Sequence, residues 1–202
     1  TYISDPLSPV PFMEDASRRN NAYMVADQTF ASLRSDVLTY TSPVIEETLK
    51  LHGPLQVRLD LAISSEDADI VVKFIDVHPD GYQMLVRGDV FPIRYRYGYD
   101  KPVKANPGEI LHLEFTMNDI AHWVLPGHKM MVQIQSSWFP LVNLNPQTYL
   151  TDIYEADSED YITSEITIYH QKNALYLSKD ACMSFQTLSN CEESILYASY
   201  YS

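Results

Sequence analysis

The residues able to do chemistry in this chain are six histidines, two cysteines and a few clustered acids and serines. His52, His78, His112, His122, His128 and His170 are dispersed, with no HxH or HExxH spacing to set two imidazoles on one metal. His112 falls on the polar phase of an alternating strand and His128 sits beside a turn, so a structural or surface role is the simpler reading of each. Glu66, Asp67 and Asp69 gather just before a strand. Calcium takes several oxygen ligands and such a loop offers two or three, but the EF-hand spacing is absent and a solvated turn explains the cluster as well. A serine nucleophile needs a GxSxG elbow with a base and an acid elsewhere. No GxSxG occurs, and Ser64-Ser65 and Ser136-Ser137 lack flanking glycines. Cys182 and Cys191 make no zinc site alone, and a local disulfide and a free pair both stay open. The residues assign no catalytic group, no metal and no cofactor.

Aromatic side chains offer a different chemistry. Trp123, Trp138, Phe139, Tyr95 and Tyr97 could stack on sugar rings, which would make the chain an independent carbohydrate-binding module. The same residues serve equally as sandwich core and interdomain packing, and exposed apolar patches usually mark an interface.

The elements that must carry these residues are strands. Leu55, Val57, Leu59, Leu61 and Ile63 alternate with Gln56, Arg58, Asp60 and Ala62, so one face is buried. Ile70 to Val77 forms a second strand, and Pro79-Asp80-Gly81 turns the chain into Tyr82 to Val86. Val90 to Tyr97 reads as a further strand, with Pro92 at an edge or bulge. Asn106-Pro107-Gly108 leads into Ile110 to Phe115, and Asp119 to Ala121 reads as a connection. Pro126-Gly127 favours a type II turn before Met131 to Gln135, where Val132 and Ile134 share one face and Gln133 and Gln135 the other. Gly53-Pro54 reads as a strong break. One helical turn is expected around Phe30 and Leu33. Glu165 to Tyr169 returns as a strand, and the ending is either a short helix near Glu192 to Ala198 or disordered. Strands at short spacing, with no long amphipathic helix, mean an all-β sandwich or jelly roll.

Composition bounds the partners. A chain of 202 residues buries roughly 70% of its unfolded surface as one domain. With 27 acids against 14 bases the formal charge is −13, and the largest cationic cluster is Arg94 with Arg96. Nucleic-acid binders cluster their cations on phosphates, so nucleic acid is excluded as a partner. No apolar run reaches the roughly 18 residues of a membrane-spanning helix, so no membrane insertion is expected. The Pro-punctuated start, TYISDPLSPVPF, reads as an extended connector leaving a preceding domain. The expected division is a connector over 1–24, a sandwich over 25–177 and an atypical tail over 178–202. Self-association stays open, as does a periplasmic or secreted location for a parent protein.

Several long motifs, in order, carry a resemblance. They are YISDPLSPVPF (Tyr2 to Phe12), ADQ (Ala26 to Gln28) with RSDVLTY (Arg34 to Tyr40), DADIVVKFIDVHPDGYQ (Asp67 to Gln83), FPIRYR (Phe91 to Arg96) and LPGHKMMVQIQSSWFPLVNLNPQTY (Leu125 to Tyr149). Over roughly Tyr2 to Tyr176 the chain resembles the C-terminal β-domain of the serine hydrolase family of X-Pro dipeptidyl-peptidase, cocaine esterase, α-amino acid ester hydrolase and cephalosporin acylase. The resemblance implies a galactose-binding-domain-like jelly roll, non-catalytic, docked on upstream α/β-hydrolase and cap domains that hold the Ser-Asp-His triad. It implies Tyr23 and Met24 as substrate-cleft wall, and favours Trp138 and Phe139 as domain contact or aromatic corner. Two departures stand out. Lys129 replaces an arginine fork with a point charge, and the ending after QKNALYLSKD leaves the family pattern.

Overall fold

The computed structural model describes residues 1–17, 20–178, 181–184, 195–197 and 199–200. The alternating segments become two sheets. One contains β1 (Tyr2–Ser4), β3 (Leu49–Ile63), β6 (Leu111–Val124), β8 (Ser164–Ser178), β9 (Ala181–Ser184) and β10 (Ile195–Tyr197), in the order β10-β9-β8-β3-β6 with β1 also paired to β8. The other contains β2 (Leu38–Thr41), β4 (Asp69–Val77), β5 (Gln83–Pro92), β7 (Lys129–Gln135) and β11 (Ser199–Tyr200), in the order β11-β2-β7-β4-β5. All pairings are antiparallel except β9 with β10. Leu55, Val57, Leu59 and Leu61 of β3 meet Ile70, Val72 and Phe74 of β4 and Val132 and Ile134 of β7 in one buried core. Full burial of each such side chain contributes about 1.5–3 kcal/mol. The all-β sandwich expected from the alternation is what the chain forms. Among the described residues, no helix is long and apolar enough to cross a membrane.

Four local expectations change. Gly53-Pro54 does not break the chain: β3 runs through it, with Gly53 at φ +100 and a register shift there. Asp119 to Ala121 is strand, not connection. Opposite Pro54, β6 carries one extra residue, since Gly53 faces Ile120 while Leu55 faces Met117. Such a bulge flips the phase of every residue beyond it on the strand. Leu111, Leu113 and Met117 face the core before it, and Ile120 and Val124 after it. Val90 to Tyr97 splits, because β5 ends at Pro92 on the sheet edge and Ile93–Tyr95 turns as 3-10 helix. In the tail, the described Ile195–Tyr197 pairs with β9 instead of coiling. Cys191 lies outside the described residues, and with it the pairing of the two cysteines.

The short helix α1 (Thr29–Ser32) falls where one turn was expected. The opening segment is extended and also sewn to the sandwich. Tyr2 pairs with Ile166, and its hydroxyl lies 2.7 Å from Ser136 Oγ. Farther on, Val10 and Phe12 are buried. The segment crosses the outer face of the second sheet, where Phe12, Met13, Ala16 and Tyr23 pack with Val71, Ile75, Leu85, Met131 and Trp138. β4 is therefore covered on both faces, which explains its nearly unbroken apolar run.

Candidate interdomain face

Trp138 and Tyr23, far apart in sequence, meet on this outer face. Phe12 and Tyr23 rings make an edge contact at 5.9 Å, and Tyr23 makes another with Trp138 at 6.4 Å. Trp138 is buried against Gly88, where an added Cβ would sit 2.6 Å from the indole. Only glycine admits the ring that closely. The strap is held by backbone pairing, Phe12 N–H to Phe139 carbonyl at 2.9 Å and Phe139 N–H to Val10 carbonyl at 3.0 Å. The two residues of the corner thus part company, with Trp138 inside and Phe139 40% exposed. Met24 and Val25, in the 3-10 turn Asn21–Val25, line a groove of about 220 Å³ with Met84 to Arg87 and Asp119 to His122. Exposed large apolar side chains follow the strap and corner: Ile3, Leu7, Val25, Phe139 and Leu141.

Among these apolar residues the outer face also carries buried polar groups. Lys73 is fully buried, donates to Gln28 Oε1 at 2.9 Å and lies 5.5 Å from the Trp138 ring centre. Burial pulls its ammonium down to about 7. Gln133 and Gln135, on the face opposite Val132 and Ile134, are also buried, with Gln133 donating to the Gln28 carbonyl at 3.2 Å and Gln135 to the Ser137 carbonyl at 2.6 Å.

Each end of β4 carries a polar cluster. At its start Asp67 is fully buried, not a solvated turn, because Arg94 donates to it from Nε at 2.8 Å and again from Nη2. Asn145 bridges Asp67 at 3.0 Å and Asp69 at 2.9 Å. Burial pushes the Asp69 carboxyl up to about 6 against the opposing Asn145 bond. Glu66 turns away to Lys104 at 2.9 Å, so the three acids do not converge as a calcium loop. A cleft of about 430 Å³ opens beside Asp69, Arg94, Tyr95, Asn143 and Tyr154.

At the other end three dispersed histidines do converge. Asp76, 2% exposed, accepts from His122 Nε2 at 2.8 Å and His128 Nδ1 at 2.7 Å, and the His78 ring lies 4.6 Å from that of His128. Burial alone would raise the Asp76 carboxyl, but the hydrogen bonds and charge of the two imidazoles outweigh it and hold it below the ordinary value. Single-residue reading missed this cluster, although the period of two contains it. Asp76 and His78 continue the inward phase of Ile70, Val72 and Phe74, and His128 continues that of Met130, Val132 and Ile134. His122 joins only because of the bulge. His112 is the exposed histidine expected, 2.6 Å from Asp60.

The carbohydrate reading is not favoured. Trp138 is buried, Trp123 is exposed beside Lys50, and Tyr95 and Tyr97 flank the end of β5, so the aromatics form no common platform.

Comparison with known proteins fits this architecture. The model of the X-Pro dipeptidyl-peptidase C-terminal non-catalytic domain matches residues 15–179. Cocaine esterase of Rhodococcus sp. (strain MB1 Bresler) is 34% identical over 149 residues, which cover 73% of this chain and 26% of that protein. An aminopeptidase from a marine sediment archaeon, Thaumarchaeota archaeon, superposes with a TM-score of 0.79 at 35% identity, over 83% of this chain and 30% of the other. An α-amino acid ester hydrolase gives the same TM-score of 0.79 at 37% identity, over 83% of this chain and 30% of the other. The chain spans between 26% and 30% of the length of these relatives. It belongs to the family of X-Pro dipeptidyl-peptidase C-terminal non-catalytic domains.

Proposed function

We propose that this chain serves a serine hydrolase acting on esters or amides, as the jelly-roll domain that holds the α/β-hydrolase and cap domains in register. Its strap face is the docking surface, and Tyr23 and Met24 form part of the substrate-cleft wall. The observation that carries this reading is the exposure of Leu7 and Val25 on a strap whose inner side packs against the core, with Phe139 and Leu141 exposed at the corner paired to it. Apolar surface presented on a rigid support suits a partner that must be positioned. The benefit is catalytic, because a misplacement of about 1 Å can cost on the order of 100-fold in rate. The relatives supply the chemistry, as an esterase, an aminopeptidase and an ester hydrolase. The crossing pairs β3–β6 and β4–β7 support the jelly-roll wrap.

The test is to titrate the purified chain with a separately expressed hydrolase-and-cap portion of a family member. Binding is expected, with Leu7→Asp and Phe139→Asp each weakening it about 10-fold or more, as for well-packed interface residues. Both positions are exposed, so circular dichroism of the free variants should match wild type. Wild-type affinity in both variants, or no binding by the wild-type chain, would sink the docking reading.

A further inference from the structure

We propose that Asp76, His78 and His128 bind a divalent cation of the zinc type, with His122 as the positioning residue for Asp76. The ligating atoms of Asp76, His78 and His128 all lie within 4.8 Å of one another. Zinc holds nitrogen and oxygen donors at about 2.0–2.2 Å in a tetrahedron, which sets neighbouring donors roughly 3.4 Å apart. The remaining gap is up to about 1.4 Å of side-chain motion. His78 can supply it, being half-buried on the turn after β4, with ring contacts to His128 at 4.6 Å and Tyr82 at 5.4 Å. The other two donors, Asp76 at 2% exposure and His128, already meet at 2.7 Å and would open by under about 1 Å to the tetrahedral spacing.

Donor chemistry decides the metal class. Two imidazoles and one carboxylate, with a fourth position open to water, suit zinc, cobalt, nickel or copper. Calcium and magnesium take oxygen sets that these residues do not offer. The cation would replace the proton shared by His128 and Asp76, so the buried carboxylate keeps a positive neighbour. Asp76 also accepts from His122 at 2.8 Å, which is the outer hydrogen bond that orients a ligating carboxylate. His122 stands on β6 of the opposite sheet, so a bound cation would tie the two sheets together at this end. The site is remote in kind from the docking reading and does not depend on it.

Calorimetry of the tag-free, chelator-treated chain with Zn²⁺ tests the proposal, together with visible absorption of the Co²⁺ form. One site of micromolar or tighter affinity is expected. At about 100-fold excess over Kd, zinc should raise Tm by roughly 5–10 °C. Co²⁺ should show the intense d–d bands of tetrahedral coordination. His78→Ala, which leaves the Asp76 bonds intact, should lose zinc affinity by about 100-fold or more, and His122→Gln should lose about 10–100-fold. His112→Ala should bind as wild type does. The proposal is overturned by failure of the wild-type chain to bind zinc, by unchanged binding in His78→Ala, or by a weak octahedral Co²⁺ spectrum. The cobalt spectrum needs no variant, so it decides even if His78→Ala fails to fold.

Discussion

Lys73 shows how one buried charge shapes the response of the whole chain to pH. It stands mid-strand on β4, fully buried, with Gln28 and the Trp138 ring as its described partners. Its folded value, about 7, is below the ordinary lysine value of 10.5. Between those values the unfolded chain holds the proton and the native chain does not. Stability from this group therefore rises as pH climbs from about 7 to 10.5, and is flat below that window. Tyr2 acts with the opposite sign at the alkaline end. Burial raises its phenol, so above its ordinary value of 10.0 the unfolded chain loses the proton first and stability falls. Lys73→Met keeps most of the volume and removes the charge. It should stabilise the chain by about 1–3 kcal/mol near pH 6–7, the usual cost of a poorly compensated polar group, and flatten the rise above pH 7. Urea midpoints across pH measure this; parallel curves for variant and wild type would refute it.

Among the elements, β6 decides more than its plain alternation suggests. The bulge opposite Pro54 keeps Ile120 and Val124 in the core and aims His122 at Asp76. Deleting Asn118 removes the extra residue itself, so Ile120 stays opposite Gly53 and Val124 opposite Leu49, both still facing the core, and the loss of stability should be small. Deleting Ala121, beyond the bulge, should instead turn Val124 to solvent and detach His122, and exposing that one side chain alone costs about 1.5–3 kcal/mol. Urea denaturation is the check, and an equal or larger loss on deleting Asn118 would refute this placing of the extra residue. The same strand shows where sequence reading stops. Leu55 to Ile63 and Met131 to Gln135 were legible because alternation is local and the buried face repeats every second residue. The bulge was not, since nothing in Asn118-Asp119 announces an extra residue until the partner strand fixes the register. Gly53-Pro54 misled for a related reason: a glycine at positive φ can sit at a bulge as well as at a turn. Asp76 and His122 are 46 positions apart and on different sheets, so only the packed sandwich brings them together. Of the four residues singled out as site candidates, Tyr23 and Trp138 meet, while Met24 lines a groove and Phe139 stands exposed at the corner. That distinction depends on a strap whose path local pattern does not encode.

Taken whole, the molecule is a sandwich closed at both ends by buried polar clusters, and these clusters should set its rigidity as a support. The cluster at the start of β4 is the one whose contribution can be isolated by pH. Asp69 has a folded value of about 6, above the ordinary aspartate value of 3.8, because burial outweighs its bond from Asn145. In that interval the native chain binds the proton and the unfolded chain does not, so stability falls as pH rises from about 4 to 6. Above the interval Asp69 is a half-buried anion beside Asp67, relieved only in part by Arg94. Asp69→Asn keeps an acceptor for the 2.9 Å bond from Asn145 and removes the charge. The variant should match wild type near pH 4, where Asp69 is protonated in the native state, and exceed it above about pH 6. The difference should open progressively between those limits in urea midpoints. A constant offset at every pH would assign the effect to lost packing instead. Because Asn145 also bonds Asp67, the same titration reports whether the loop over the 430 Å³ cleft is held by Asp67 and Arg94 alone or by the full four-residue cluster. If Asp67 and Arg94 suffice, Arg94→Met should cost about 3–5 kcal/mol, the loss expected on stranding a buried carboxylate, and Asp69→Asn should leave that cost unchanged. If the cluster acts as a unit, the two substitutions should be non-additive by about 0.5–3 kcal/mol, and the support offered to a docked partner would rest on both acids together.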